Sequence, residues 1–129
     1  MHMQLNECKK EYWEFIRVLR NNKIVQDGFI KSIHITEEMQ LKYMNSHSQF
    51  YRVALDNNEP CGYVGVINDD IRICTHPDFQ GKGIGKFMLK EIIKIYPNAY
   101  AKIKVGNRAS INLFSSVGFK EEFIIFKYE

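Results

Sequence analysis

The chain has 129 residues, 45% hydrophobic, 26% charged and 13% aromatic, enough for one packed core and too little for a second, so residues 1–129 are expected to form a single domain. The net charge of +3, from 18 basic and 15 acidic residues, suits an anionic small molecule and gives no footing for nucleic acid as a partner. No apolar run reaches membrane-spanning length, so no membrane partner is expected; Cys8, Cys61 and Cys74 share no metal-type spacing and are too few and scattered for a disulfide framework.

In chain order, the opening residues are compatible with a short strand, and Met1 to Leu5 lacks the charged and apolar regions of a signal peptide. With the cysteine usage this points to a reduced, cytoplasmic setting. A helical pattern runs from Lys9 to Arg20, with Tyr12, Trp13, Ile16, Leu19 and Arg20 on related turns, four of them apolar or aromatic, and Asn21-Asn22 ends it. Lys23 to Ile35 reads as a loop punctuated by Gly28. Thr36 is placed to cap a helix running to about Asn45, with Glu37 and Glu38 in its first turn.

Phe50 to Leu55 and Gly62 to Ile67 read as strands joined by the turn Asp56-Asn57-Asn58-Glu59-Pro60. After a second turn at Asn68-Asp69-Asp70, Ile71 to Thr75 completes an antiparallel meander. Gly83 to Tyr96 is predicted as a helix with Phe87, Met88, Ile92, Ile95 and Tyr96 toward the core, stopped by Pro97-Asn98. Ala99 to Val105 is predicted as a strand reached by a parallel crossover. Asn107 to Val117 is a last helix with Asn107 as N-cap and Gly118 as its stop, and Phe119 to Tyr128 is a closing strand. This order predicts an α+β, or mixed α/β, sandwich on one central sheet.

The segment richest in chemistry is Gln80-Gly81-Lys82-Gly83-Ile84-Gly85, between a strand and a helix. Glycines at alternate positions clear side chains from backbone N–H groups at a helix start, where the dipole favours an anion. The P-loop spacing fails, because Lys86 stands where its second glycine belongs. The dinucleotide fingerprint fails too, because Gly85 follows Gly83 by two residues, not three.

The pattern Gln80-x-x-Gly83-x-Gly85, flanked by Ile73-Cys74-Thr75-His76-Pro77 and Lys86-Phe87-Met88-Leu89, resembles the pyrophosphate loop of the GCN5-related N-acetyltransferases (GNAT). Asn107-x-Ala109-x-x-x-Leu113-Phe114-x-x-x-Gly118-Phe119 resembles the second signature of that family, and the element order agrees. The resemblance implies a mostly antiparallel twisted sheet flanked by helices and splayed between strands four and five. It also implies acetyl-CoA as co-substrate with no metal, and a small-molecule amine as acceptor in a monomer or homodimer.

Carried over residue by residue, the resemblance sets the pyrophosphate on Gln80, Gly81, Lys82, Gly83, Ile84, Gly85 and Lys86. Lys82 and Lys86 also read simply as solvated lysines. The pantetheine arm would lie along backbone groups of Cys74 and Thr75, with Asn107 reaching it or serving as helix cap, and an N–H near Cys74 would face the oxyanion. Direct transfer is expected, with Cys74 as an acylated nucleophile the minor alternative. For a general base the candidates are Asp69, Asp70 and His76; Asn68-Asp69-Asp70 reads equally as turn chemistry and His76 as loop scaffolding. Many members carry a tyrosine where this chain has Phe114, which cannot donate a proton and is expected to pack against the cofactor. Tyr100 and Tyr128 are candidate substitutes.

Tyr12-Trp13-Glu14-Phe15-Ile16, Leu19-Arg20-Asn21 and Ile35-Thr36-Glu37-Glu38 resemble, more weakly, bacterial enzymes that acetylate amino groups of nucleotide-linked sugars. Asn21, Gln26 and His47 could hydrogen-bond a sugar or act as caps and loop residues, and Phe29, Phe50 and Tyr51 could stack on a ring or pack in the core. A peptide or protein amine is the alternative acceptor. A CoA-binding sensor without turnover is the alternative function.

Overall fold

The computed structural model describes residues 2–31 and 33–129. Met1 of the opening segment and Ser32 of the predicted loop lie outside the described residues. Strand β1 (Met3–Glu7) is followed by a 3-10 turn at Lys10–Tyr12, helix α1 (Trp13–Arg20), a one-turn helix α2 (Lys23–Gln26) and helix α3 (Glu37–His47). Strands β2 (Tyr51–Asp56), β3 (Glu59–Ile67) and β4 (Asp70–Thr75) come next, then helices α4 (Ile84–Ile95) and α5 (Arg108–Ser116). The strands form one sheet in the order β1-β2-β3-β4, antiparallel throughout.

The turns follow from residues that tolerate a left-handed backbone. Asn57 and Asn58 have φ of 50° and 67°, and Asn68 and Asp69 have 52° and 65°. Two consecutive positive-φ residues give the tight primed turn that suits the twist of a hairpin. The β2–β3 register slips between Ala54 and Leu55, so Cys61 is passed over and its Sγ donates to the Ala54 carbonyl at 3.3 Å.

Strand alternation splits the core into two layers. On one face Tyr51, Val53, Leu55, Tyr63 and Cys74 meet Ile16 and Leu19 of α1 and Met44 of α3. On the other, Val64, Val66 and Ile71 meet Ile84, Met88, Leu89 and Ile92 of α4 and Phe114 of α5. Ile95, expected in that core, is exposed at the end of its helix. Tyr96 turns away from helical geometry at φ −124° and ψ 76°, as a residue before proline must.

The caps at Thr36 and Asn107 form: Thr36 Oγ1 accepts from Met39 N at 3.1 Å, and Asn107 Oδ1 from Ser110 N at 3.2 Å. The expected loop from Lys23 instead begins with α2, whose cap Asn22 accepts from Ile24 N at 2.9 Å. Two expected strands are not formed as ladders. From Ala99 to Val105 a single parallel bridge joins Asp70 to Tyr100, and Phe119 to Tyr128 joins no strand. Tyr100 N donates to Asp69 O at 2.7 Å and Ile71 N to Tyr100 O at 2.8 Å, after which the chain leaves β4.

All three cysteines are buried and free. Burial pushes the Cys8 and Cys61 thiols up to about 11 and the Cys74 thiol up to about 12, and raises the phenols of Tyr51 and Tyr63 further. The folded chain therefore keeps protons that the unfolded chain releases above the ordinary thiol value of 9.0. Stability from these groups is full at neutral pH and lost as pH rises through the raised values. We expect the urea midpoint to fall as pH is raised above the ordinary thiol range, with no thiol titrating with a disulfide reagent in the native state. A midpoint that rises with alkalinity would contradict this account.

Candidate active site

The parting of β4 from the chain after Tyr100 opens two joined clefts. The first, of about 560 Å³, is lined by Cys74, Thr75, Gln80, Gly81, Gly83, Ile84, Gly85 and Lys86 with Asn107 and Leu113. The second, of about 490 Å³, is lined by Arg20, Lys31, Tyr51, Tyr63, Asp70, Arg72, Lys102 and Phe114. Gly28, Phe29, Ile73, Asn107 and Ser110 belong to both and mark where they meet.

The glycine loop ends in the start of α4. Gly83 is its N-cap, with φ 81° and ψ 12°, and Gly81 has φ 79°; a Cβ on either would meet no protein atom within 4 Å. Gly85 has a different reason to be glycine: its Cβ would stand 3.0 Å from Leu113 Cδ2 and 3.6 Å from Thr75 Oγ1, in the seam between α4, α5 and β4. The first N–H groups of α4 thus face the cleft with no side chain across them. Lys86 lines this cleft, whereas Lys82 lies outside it with its Nζ over the Phe79 ring at 5.1 Å from the centroid.

Register decides which β4 backbone groups face the opening. Ile71 N bonds Tyr100 and His76 N bonds Cys61 O at 2.8 Å, so odd-numbered β4 residues point toward the cleft and even-numbered ones toward β3. The groups on offer are therefore those of Ile73 and Thr75. Cys74 turns its backbone to β3, where Tyr63 is its partner, and its thiol is held protonated by burial. Ile73, which sits at the junction of the clefts, was not singled out from the sequence because a backbone donor carries no side-chain signature.

The candidate bases separate clearly. Asp70 lines the second cleft, with Oδ2 3.5 Å from Arg72 Nε. Asp69 is exposed in its turn and lines neither cleft. His76 caps a 3-10 turn, its Nδ1 accepting from Asp78 N at 3.0 Å, and packs between Phe15 and Phe79, which is scaffolding. Asn107 uses Oδ1 as helix cap and reaches the Gly28 carbonyl with Nδ2 at 3.4 Å. Phe114 is buried edge-on against Phe119, ring centroids 5.1 Å apart. Tyr100 and Tyr128 line neither cleft, so neither replaces a hydroxyl at 114.

The expected sugar contacts are committed elsewhere. Asn21 donates to and accepts from the Ile35 backbone, both at 2.8 Å. Gln26 Nε2 donates to Arg20 O and Ile33 O, and His47 stacks on Tyr43 with centroids 4.3 Å apart. Phe50 packs against the core, while Phe29 and Tyr51 do reach the clefts. Arg20 was missed. Burial raises the Tyr51 and Tyr63 hydroxyls, and the Arg20 and Arg72 charges partly offset it, which puts both guanidiniums near the same phenols. Among the described residues no carboxylate stands within ion-pair distance of Arg20.

A splayed sheet edge beside a glycine-cleared helix start is the geometry of an acyl-CoA cradle: bare amides for a pyrophosphate, then a strand edge for an amide-bearing arm. Residues 7–119 match the Acetyltransferase (GNAT) family, and the chain belongs to that family. It is an acetyl-CoA-dependent N-acetyltransferase, and acetyl-CoA is its co-substrate.

The fold is shared with spermidine N-acetyltransferase of Vibrio cholerae, solved with CoA and spermine, at 21% identity and TM-score 0.80 over 94% of this chain and 82% of that one. It is shared also with the Salmonella typhimurium protein yncA, solved with acetyl-CoA, at 20% identity and TM-score 0.77 over 92% and 79%. Ribosomal-protein-alanine N-acetyltransferase of Brucella melitensis is a third, at 18% identity and TM-score 0.78 over 93% and 86%. Comparison with curated proteins found no match. Among the described residues no helix is long and apolar enough to cross a membrane, and no group of His, Cys, Asp and Glu is placed to hold a metal ion.

Proposed function

We propose that the enzyme transfers acetyl directly to the primary amine of a small anionic molecule, of which a nucleotide-linked amino sugar is the leading case. The supporting observation is the second cleft, where Arg20, Lys31, Arg72 and Lys102 stand against Asp70 alone. Such a lining attracts phosphate or carboxylate and repels a polycation such as spermine, the ligand of the Vibrio cholerae structure. Phe29 and Tyr51 offer flat faces to a sugar or base.

Acetyl-CoA supplies the thioester. In this reading Gly81, Gly83, Ile84, Gly85 and Lys86 hold its pyrophosphate, and Ile73 and Thr75 hold its arm. The Ile73 N–H lies where the clefts meet, in place to receive negative charge from the acyl oxygen. Asp70 takes the proton of the amine. It lies three residues from Ile73, about 10 Å along an extended strand, so a water carries the proton from the amine to the Asp70 carboxylate. The buried thiol of Cys74 takes no covalent part.

An acceptor screen tests the reading: nucleotide amino sugars and other anionic amines beside spermine, aminoglycosides and peptides, with thiol release as the signal. Turnover confined to polycations would overturn it, and turnover on peptides alone would move the acceptor to protein amines. Phe114→Tyr is expected to leave the fold intact and kcat within a few-fold of the parent, because CoA thiolate leaves without an acid when its pKa is near the ordinary thiol value. Loss of turnover in that variant, with unchanged CoA binding, would show that the ring at 114 sets the geometry of transfer.

A further inference from the structure

The segment after Phe119 is not used by the reading above. Phe123, Ile124, Ile125, Phe126 and Tyr128 are 84%, 81%, 78%, 94% and 99% exposed. No helix or strand includes residues 120–129, and among the described residues no backbone hydrogen bond joins them to the rest of the fold. Five large apolar side chains in water, on a segment with no backbone hydrogen-bond partner among the described residues, are left without a neighbour to cover them. We propose that this segment pairs antiparallel with the same segment of a second copy, with Ile124 opposite Ile124.

The register follows from symmetry and charge. In a two-stranded antiparallel ribbon, hydrogen-bonded and non-bonded pairs alternate and directly opposed side chains share a face. A two-fold axis relating two copies must preserve both properties, so it passes through a residue opposed to itself.

Centred on Ile124, the pairing sets Phe123 against Ile125 and Glu121 against Lys127, each twice, with Lys120 opposite Tyr128 and Glu122 opposite Phe126. Glu121, Phe123, Ile125 and Lys127 lie on one face, so that face reads acid–apolar–apolar–base and is its own complement when reversed. Centred on Ile125, the pairing would set Glu121 against Glu129 and Phe123 against Lys127. Both registers set two aromatic–aliphatic pairs, Phe123 with Ile125 in the first and Ile124 with Phe126 in the second, but only the first gains two ion pairs with no like charges opposed, whereas the second opposes Glu121 to Glu129 twice.

A two-stranded ribbon is marginal on its own in water, so a reversible dimer is expected, not an obligate one. Sedimentation equilibrium from micromolar to near-millimolar protein should show a monomer–dimer equilibrium. Glu121→Lys and Lys127→Glu, each opposing like charges twice, should weaken association at least about tenfold, and the double reversal should restore it, as cross-strand pairs of this kind require.

Ile124→Cys should cross-link to itself under mild oxidation and Phe123→Cys should not, because Phe123 faces Ile125 of the other copy and lies on the opposite side of the ribbon from Ile124. The native cysteines are buried and do not compete. A monomer at every concentration would overturn the proposal. So would a dimer in which the double reversal is no better than either single change, or one that cross-links equally well at both positions. The substituted side chains are exposed and line neither cleft, so acetyl-CoA binding should be unchanged and reports that each variant is folded.

Discussion

Gly83→Val is expected to lower acetyl-CoA affinity by at least about tenfold, or about 1.4 kcal/mol, with little loss of fold. Gly83 caps α4 at φ 81°, a conformation that costs an ordinary residue roughly 1–2 kcal/mol and a β-branched one more. Its Cβ would meet no protein atom, so nothing in the core is displaced. The strain and the added methyls fall on the N–H groups that open α4.

Gly85→Val is the instructive contrast. There a Cβ presses on Leu113 at 3.0 Å, and the expected damage is a shift of α5 from α4 that lowers melting temperature and affinity together. Calorimetric titration with acetyl-CoA beside thermal unfolding separates the two cases. Unchanged affinity in a folded Gly83→Val protein would remove the glycine loop from the pyrophosphate site.

Arg20→Ala is expected to raise the acceptor KM by roughly ten- to a hundredfold while leaving the acetyl-CoA KM as it was. A hydrogen bond to a charged group contributes about 1.5–3 kcal/mol, and among the described residues Arg20 has no carboxylate within ion-pair distance to neutralise it. The cost to α1 is small, about 0.3–1 kcal/mol, from losing a cation in its last turn. Arg20→Glu carries the opposite expectation for a polycation: weak activity with spermine should improve as that with anionic amines collapses. Steady-state kinetics with both co-substrates varied decides the matter. If both acceptor classes respond alike, Arg20 shapes the cleft without reading charge.

These two residues differ in how far the sequence announced them. The glycine spacing lies within six residues and its geometry is local, so loop, helix start and caps at Thr36 and Asn107 all follow from neighbours in the chain. The meander was legible for the same reason, through paired Asn and Asp residues that accept a left-handed backbone. Arg20, by contrast, gains its meaning only where the end of α1 reaches the cleft that Arg72 also lines. Ile73 gains its meaning from the register set by Tyr100.

Ala99 to Val105 shows the limit from the other side. It alternates as a strand should, with Ala101 and Ile103 half-buried and Lys102 and Lys104 exposed, yet it leaves β4 after a single bridge. Strand propensity is local, but pairing depends on the partner edge. His76 and Asn21 were drawn toward the chemistry by residue type, whereas both are consumed in holding loops.

In the proposed reading, the parting of the sheet after Tyr100 also couples acetyl-CoA binding to the stability of the fold. On that reading, hydrogen bonds that a continued ladder would have made, each contributing about 0.5–1.5 kcal/mol, would be made by the bound arm instead. A ligand that completes the sheet binds the native chain and not the unfolded one, so by mass action it adds about 2.7 kcal/mol at a hundredfold excess over its dissociation constant. Removing acetyl-CoA would by the same relation lower the melting temperature of the chain, so thermal unfolding with and without the co-substrate reads how far the arm completes the sheet.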